Sequence, residues 1–273
     1  MKPTEKITLL SALILVTALT VPAQADVTAY VVHGIDGDDF ALDPALPVDV
    51  SVGGSCALTG FEFGDRVGPI TLPAGDYDIS IFLADADNPC EGTEVLDLDG
   101  VPLTDGANGT IIAHRTADGT PGDGDLLGLG ITASLFGNDF SSTGRGKARV
   151  LVHHTAFAPA VDVVVSRDYD DPTAPSVTVN GFTNPTGAAE AGMSQINAEF
   201  RPGEWDVALE LGGAAVFGPT TIRLKPFTAT YIYAVGDFAG GTFQYLVYTN
   251  TNSGLKPNKS DLRARRGGRF IRR

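Results

Sequence analysis

The sequence predicts an all-β chain built as two tandem antiparallel β-sandwiches, followed by a disordered basic tail. Three observations carry that expectation. Apolar and polar residues alternate with a period of two in Tyr77, Ile79, Ile81 and Leu83, and again in Trp205, Val207, Leu209 and Leu211. Successive side chains of a strand point to opposite faces, so each run turns one apolar face to a core and the other to water. Segments of the first half recur in order in the second half, and the 33 Gly and 17 Pro against 2 Met describe a chain of many turns and few long helices.

The recurrence sets the domain plan. Ala29-Tyr30-Val31-Val32-His33 is matched by Arg149-Val150-Leu151-Val152-His153, an offset of 120. Val48-Asp49-Val50 is matched by Val161-Asp162-Val163 at 113, PAGDYDISI from Pro73 by RPGEWDVAL from Arg201 at 128, and Thr110-Ile111-Ile112 by Thr230-Tyr231-Ile232 at 120. Order is kept while the offset drifts, which is the pattern of two copies that differ in loop length. Copies of about 110 to 118 residues, made of short alternating strands between Pro- and Gly-containing turns, suggest sandwiches of the immunoglobulin kind, with a small barrel as the rival. The turn-rich run from Gly137 to Gly144 places the boundary. The expected division is a signal peptide over 1–25, a first sandwich over 26–143, a second over 144–252 and a tail over 253–273.

Lys2 and Lys6 precede an apolar stretch from Ile7 to Val21, and Ala23-Gln24-Ala25 follows as a small-x-small cleavage signal. Fifteen residues are short for a membrane span of about 20. Cleavage after Ala25 is therefore expected, with a mature chain beginning at Asp26 in the periplasm or outside the cell. The only cysteines, Cys56 and Cys90, lie in that mature chain. An even count in an oxidising compartment predicts a disulfide, and neither a CxxC pair nor a nearby histidine supports a metal site.

Charge falls into three zones. Residues 26–143 carry 21 acidic side chains against Arg66 and Arg115, residues 144–252 carry 10 acidic against 7 basic, and residues 253–273 carry eight Lys and Arg against Asp261. The whole chain has a formal charge of −14, which excludes the counterion-release affinity that nucleic-acid binders rely on. The basic tail has no apolar periodicity with which to fold alone. Two contacts are open to it: the acidic first sandwich, or an external polyanion.

The run FGNDFSSTGRGKARVLVHHTAFAPAVDVVVS, from Phe136 to Ser166, together with the PAGDYDISI strand, resembles the bacterial domain of unknown function family numbered 4397. The likeness spans most of residues 28–250. It implies an exported protein of tandem β-rich repeats with no established activity, and it offers no guide to the acidic insertions of the first copy or to the tail.

Residues that could carry chemistry are few. His33, His114, His153 and His154 read either as metal ligands or acid/base groups, or as structural residues ending strands, and the adjacent pair must point to opposite faces of its strand. GxSxG, HExxH and a phosphate-cradling loop are absent, and Gly53-Gly54-Ser55 lacks the strand-to-helix setting of a nucleophile. Asp36, Asp38 and Asp39, and Asp118, Asp123 and Asp125 within ADGTPGDGD, form two Asp-rich loops. Such loops suit Ca²⁺, though without the spacing of an EF-hand, and read equally as solvated turns that keep an exported protein in solution. No other cofactor is indicated. Two function classes remain: a non-catalytic exported module for binding, adhesion or spacing, with a cell-envelope glycan or protein as partner, and a secreted hydrolase that acts on glycans through surface carboxylates.

Overall fold

The computed structural model describes residues 25–141, 143–186 and 193–250. The expected signal peptide and basic tail lie outside the described residues, apart from Ala25. Among the described residues sixteen strands account for nearly all the regular structure. The first copy contains β1 (Val27–His33), β2 (Val48–Val52), β3 (Ser55–Phe61), β4 (Arg66–Leu72), β5 (Gly75–Leu83), β6 (Glu94–Leu103), β7 (Asn108–Arg115) and β8 (Ile131–Gly137). The second contains β9 (Ala148–His154), β10 (Val161–Ser166), β11 (Ser176–Phe182), β12 (Gln195–Phe200), β13 (Gly203–Leu211), β14 (Ala214–Leu224), β15 (Ala229–Val235) and β16 (Gln244–Asn250).

Each copy folds as two four-stranded sheets. In the first the orders are β4-β1-β7-β8 and β3-β2-β5-β6; in the second they are β12-β9-β15-β16 and β11-β10-β13-β14. The second set is the first with every strand number raised by eight, so the sequence repeat is a repeat of topology. Pairing is antiparallel except for β1 with β7 and β9 with β15, which are parallel. A parallel pair needs a long crossover, and here the chain builds most of the opposite sheet before returning.

The matched Val-Asp-Val segments owe their aspartates to a local need. β2 and β10 each meet their neighbour at a bulge, and Gly60 and Gly181 there adopt φ of +58° and +65°, which only glycine takes without strain. The bulged amide is left without a ladder partner. Asp49 Oδ1 accepts from Gly60 N and Asp162 Oδ1 from Gly181 N, each at 2.9 Å. Gly53 and Gly54, with φ of +57° and +75°, form the tight turn of the β2–β3 hairpin, so the Gly-Gly-Ser run shapes a turn.

The structure shifts the histidine match by one residue. β1 ends at His33 and β9 at His154, so these strands, like β7 and β15, align at an offset of 121 and not 120. Because strand side chains alternate, a slip of one residue exchanges the two faces of the sheet. His33 therefore corresponds to His154: both turn inward and place Nε2 against a main-chain carbonyl, at 2.9 Å from Leu46 O and 3.4 Å from Pro159 O. His153, the residue matched by sequence, faces out of its sandwich.

The outward faces are where expectation and structure differ most. The alternation predicts one wet face per strand, but β9 and β15 are buried at every position and β7 at all but its first. The sheet β4-β1-β7-β8 packs its outer face against the outer face of β12-β9-β15-β16. Val32, Ile112 and Phe136 from the first copy join Leu151, Ala229, Tyr231, Tyr233 and Val235 from the second in one apolar cluster. The molecule is a stack of four sheets with three apolar layers.

The two inner cores are filled differently. The second contains Phe182, Phe200, Trp205 and Phe243, with Phe217, Phe238 and Tyr245 packed alongside. In the first, Phe61 is the one fully buried aromatic side chain among Val, Ile, Leu and Ala. That aliphatic core encloses a cavity of about 300 Å³. The corresponding space of the second core, bounded by His154, Val161 and Leu209, measures about 10 Å³.

Candidate functional site

The seam between the sandwiches gathers most of the buried polar chemistry, built from residues at the ends of the central strands. At one end Arg115, closing β7, lies between the rings of Phe40 and Phe157, 4.8 and 4.9 Å from their centroids, and pairs with Asp39 at 3.4 Å. Asp39 accepts a hydrogen bond from the Thr242 hydroxyl of the second sandwich. Asn184 Nδ2 donates to the carbonyls of Arg115 and Ala156, both at 2.9 Å, and Ala117 N donates to Thr186 Oγ1 at 3.2 Å.

Arg66, the first residue of edge strand β4, holds its guanidinium over Tyr30 at 4.1 Å and over Tyr231 and Tyr248 of the second sandwich at 5.0 and 5.6 Å. Tyr248 Oη donates to Gly64 O at 2.7 Å. Arg149 holds the connecting segment: it pairs with Asp139 at 2.6 Å and with Glu199 at 3.4 Å, and also donates to the carbonyls of Asp139 and Ser141. Arginine suits these places because its flat, weakly hydrated head stacks on rings and forks toward carboxylates.

All four histidines are buried. His153 stacks on Tyr233 with centroids 4.6 Å apart and planes at 12°, and meets Phe136 at 4.4 Å. Neither of its ring nitrogens has a hydrogen-bond partner, and burial pushes its pKa down to about 3. His154 points the other way, into the second core against Phe182. His114 is held at Nδ1 by Arg115 O at 2.6 Å and at Nε2 by Ser134 Oγ at 2.8 Å. Burial lowers His33, His114 and His154 to about 4, and the charge of His154 presses His114 further down. At neutral pH all four imidazoles are therefore uncharged and buried among rings, main-chain carbonyls and a serine hydroxyl.

Three of the six loop carboxylates, those of Asp36, Asp118 and Asp125, accept hydrogen bonds within their own turns. Asp36 Oδ1 accepts from Asp38 N at 3.0 Å and caps the 3-10 turn Gly37–Phe40, its carboxyl raised in pKa chiefly by burial. Asp38 lies in the first turn of that element, and Asp39 belongs to the Arg115 pair. Asp118 accepts from the Thr120 hydroxyl at 2.6 Å and from its amide at 3.0 Å, which lowers its pKa. Asp125 binds the amides of Leu127, Gly130 and Ile131 at 3.1, 2.8 and 3.2 Å, and Asp123 contributes its main-chain carbonyl to Thr132. Among the described residues no three His, Cys, Asp or Glu side chains form a group that could hold a metal ion. A calcium loop needs several carboxylate oxygens converging on one point, whereas Asp36, Asp118 and Asp125 each accept from amides or hydroxyls of their own turns and Asp39 turns to Arg115 and Thr242.

Cys56 of β3 and Cys90 of the β5–β6 connection form the expected disulfide, with Cα atoms 5.8 Å apart. The closed loop, with a sequence separation of 34, is worth about 3 to 4 kcal/mol in the chain-entropy model. The seam carries the effect of reducing this bond into the second sandwich. Trp205, the single tryptophan, lies in the second core, where its ring meets Phe200 edge-on at 4.8 Å. Reduction of a bond in the first sandwich is expected to lower the urea midpoint read by Trp205 fluorescence, because the two sandwiches share a buried face. A Trp205 transition that stays in place on reduction would show that the sandwiches unfold independently.

A search of curated proteins gives no match. Among solved structures, a crystal structure described as "a putative cell adhesion protein from Bacteroides ovatus ATCC 8483" is 9% identical over 84% of this chain and 96% of that one, with a TM-score of 0.25. A likeness that low decides neither fold nor role. The model of a domain of unknown function, DUF4397, matches residues 40–164, a span that runs from the 3-10 turn through β8 and on into β10 of the second sandwich. Over that segment, from Phe40 to Val164 across the junction of the two sandwiches, the chain is similar to the domain of unknown function family DUF4397.

Proposed function

We propose that the protein is an exported, non-catalytic β-sandwich module that works in the cell envelope or outside the cell as a rigid binding or spacer unit. The observation that supports this reading most is the seam. His153, Arg66 and Arg115 are used to weld two sandwiches back to back, which gives a stiff body with two outer sheets left for contact. The disulfide accords with an oxidising compartment, and no helix among the described residues is long and apolar enough to cross a membrane.

The test is co-sedimentation of the full exported chain with envelope fractions and immobilised polysaccharides, in Ca²⁺ and in EDTA, with assay of released reducing ends. Retention by one of these materials without release of sugar, equal in both buffers, is the expected result. Release of reducing ends above that of a heat-inactivated sample would replace this reading with the hydrolase. Retention lost only in EDTA would return the Asp36 and Asp118 loops to the role of metal ligands.

A further inference from the structure

We infer that the interior of the first sandwich is a binding site for a small, neutral, hydrocarbon-like molecule of roughly twelve non-hydrogen atoms. The cavity between its sheets measures about 300 Å³ and is walled by side chains such as Val31, Val50, Ile81, Ile111 and Ile131. A dry aliphatic cavity of about 150 Å³ holds one benzene ring, so twice that volume sets the ligand's size.

The second sandwich serves as an internal control. It has the same strand order, and the positions that bound the cavity recur: His33 as His154, Val48 as Val161, Ile81 as Leu209. There the space has shrunk to about 10 Å³, with Phe238 and Phe243 of the β15–β16 connection among its walls. In the first sandwich the equivalent β7–β8 connection supplies Leu127 and Leu129, and the space stays open. The cavity is therefore a property of this copy's side chains and not of the fold. An unfilled core of this size lowers stability, and the disulfide braces this sandwich alone.

The lining selects the chemistry. His33 is the polar side chain of the wall, and both its nitrogens are engaged, Nε2 with Leu46 O and Nδ1 with Ile35 N. Nothing remains to pair with a charge, and a charged ligand would lose its hydration without return. A peptide is excluded for the same reason, since its amides would find no partners between two completed sheets. Entry is at the end where Leu42 and Leu127 line the cavity while remaining 48% and 50% exposed.

The experiment titrates the full exported chain with naphthalene and with 1-decanol, one flat and one chain-like, and locates the bound probe by isotope-filtered nuclear Overhauser contacts. We expect one molecule of at least one probe per chain, with contacts to the methyl groups of Val50, Ile81 and Ile111. Val50→Phe and Ala133→Leu, which fill the space from opposite sheets, should weaken binding at least tenfold while the folded spectrum is retained. Failure of both probes to bind, contacts that place the probe in the seam against Leu151, or undiminished binding to a folded filled variant would each overturn the inference. Should both variants unfold, the contacts in the unsubstituted protein decide. Envelope binding is measured separately, so its outcome bears on the proposed function and leaves this site to stand or fall alone.

Discussion

Lowering the pH from 7 to 4 is expected to unfold the protein. His33, His114 and His154 have pKa values near 4 in the folded state and His153 near 3, whereas an unfolded histidine titrates near 6.5. Between these limits the unfolded chain takes up protons that the folded chain refuses. Stability is thus full above pH 6.5, falls as the pH drops below it, and levels off under each folded pKa. A shift from 6.5 to about 4 corresponds to about 3 kcal/mol per imidazole. Half of the effect summed over four would already rival the about 5 to 15 kcal/mol that a typical domain possesses.

Other groups modify the profile. Asp36, raised in pKa, acts in the opposite sense, while Asp118 and Asp139, lowered by their hydrogen bonds, add to the loss at the acid end. Urea midpoints at pH 7.5, 6.5, 5.5 and 4.5 test the expectation. A midpoint unchanged from pH 7 to 5 would contradict it. His153→Phe, which preserves the stack on Tyr233, should make the dependence shallower.

The second large effect concerns the seam. Leu151→Asp places a carboxylate at a position with 0% exposure, amid Ile112, Tyr231 and Tyr233. An unpaired buried charge is among the few changes that exceed about 4 kcal/mol, and that loss is expected here. Val177→Asp, on the exposed side of an edge strand at 43% exposure, should cost no more than about 1 kcal/mol. If Leu151→Asp cost no more than this surface change, the seam would be an incidental contact and the two sandwiches separate bodies. Partial separation, with the Trp205 transition retained and new exposed apolar surface detected by dye binding, would instead show that each sandwich folds without its neighbour.

Much of the architecture is legible in the chain. Period-two alternation at Tyr77 to Leu83 and Trp205 to Leu211 marks strands of the two outer sheets because those strands do keep one face toward solvent, as β5 shows with exposed Asp76 and Asp78 against buried Ile79 and Ile81. An even cysteine count is enough to pair Cys56 with Cys90. Runs such as Thr230-Tyr231-Ile232-Tyr233-Ala234-Val235, with little polar alternation, are the signal that a strand is covered on both faces. The site residues were harder to read. That Asp36 and Asp125 accept from nearby amides is not visible in the sequence, because a list of carboxylates does not show which amides lie within reach.

The sequence by itself determined the class, the duplication and the disulfide, since these follow from local periodicity, repeated order and residue counts. Tertiary structure decided the seam, the histidine register and the hollow first core. Each depends on what stands opposite a side chain. A one-residue slip in a repeat alignment leaves the letters plausible yet exchanges core and interface, as His153 and His154 show. Whether an aliphatic core closes is a matter of summed volume across two sheets, and no single strand carries that sum.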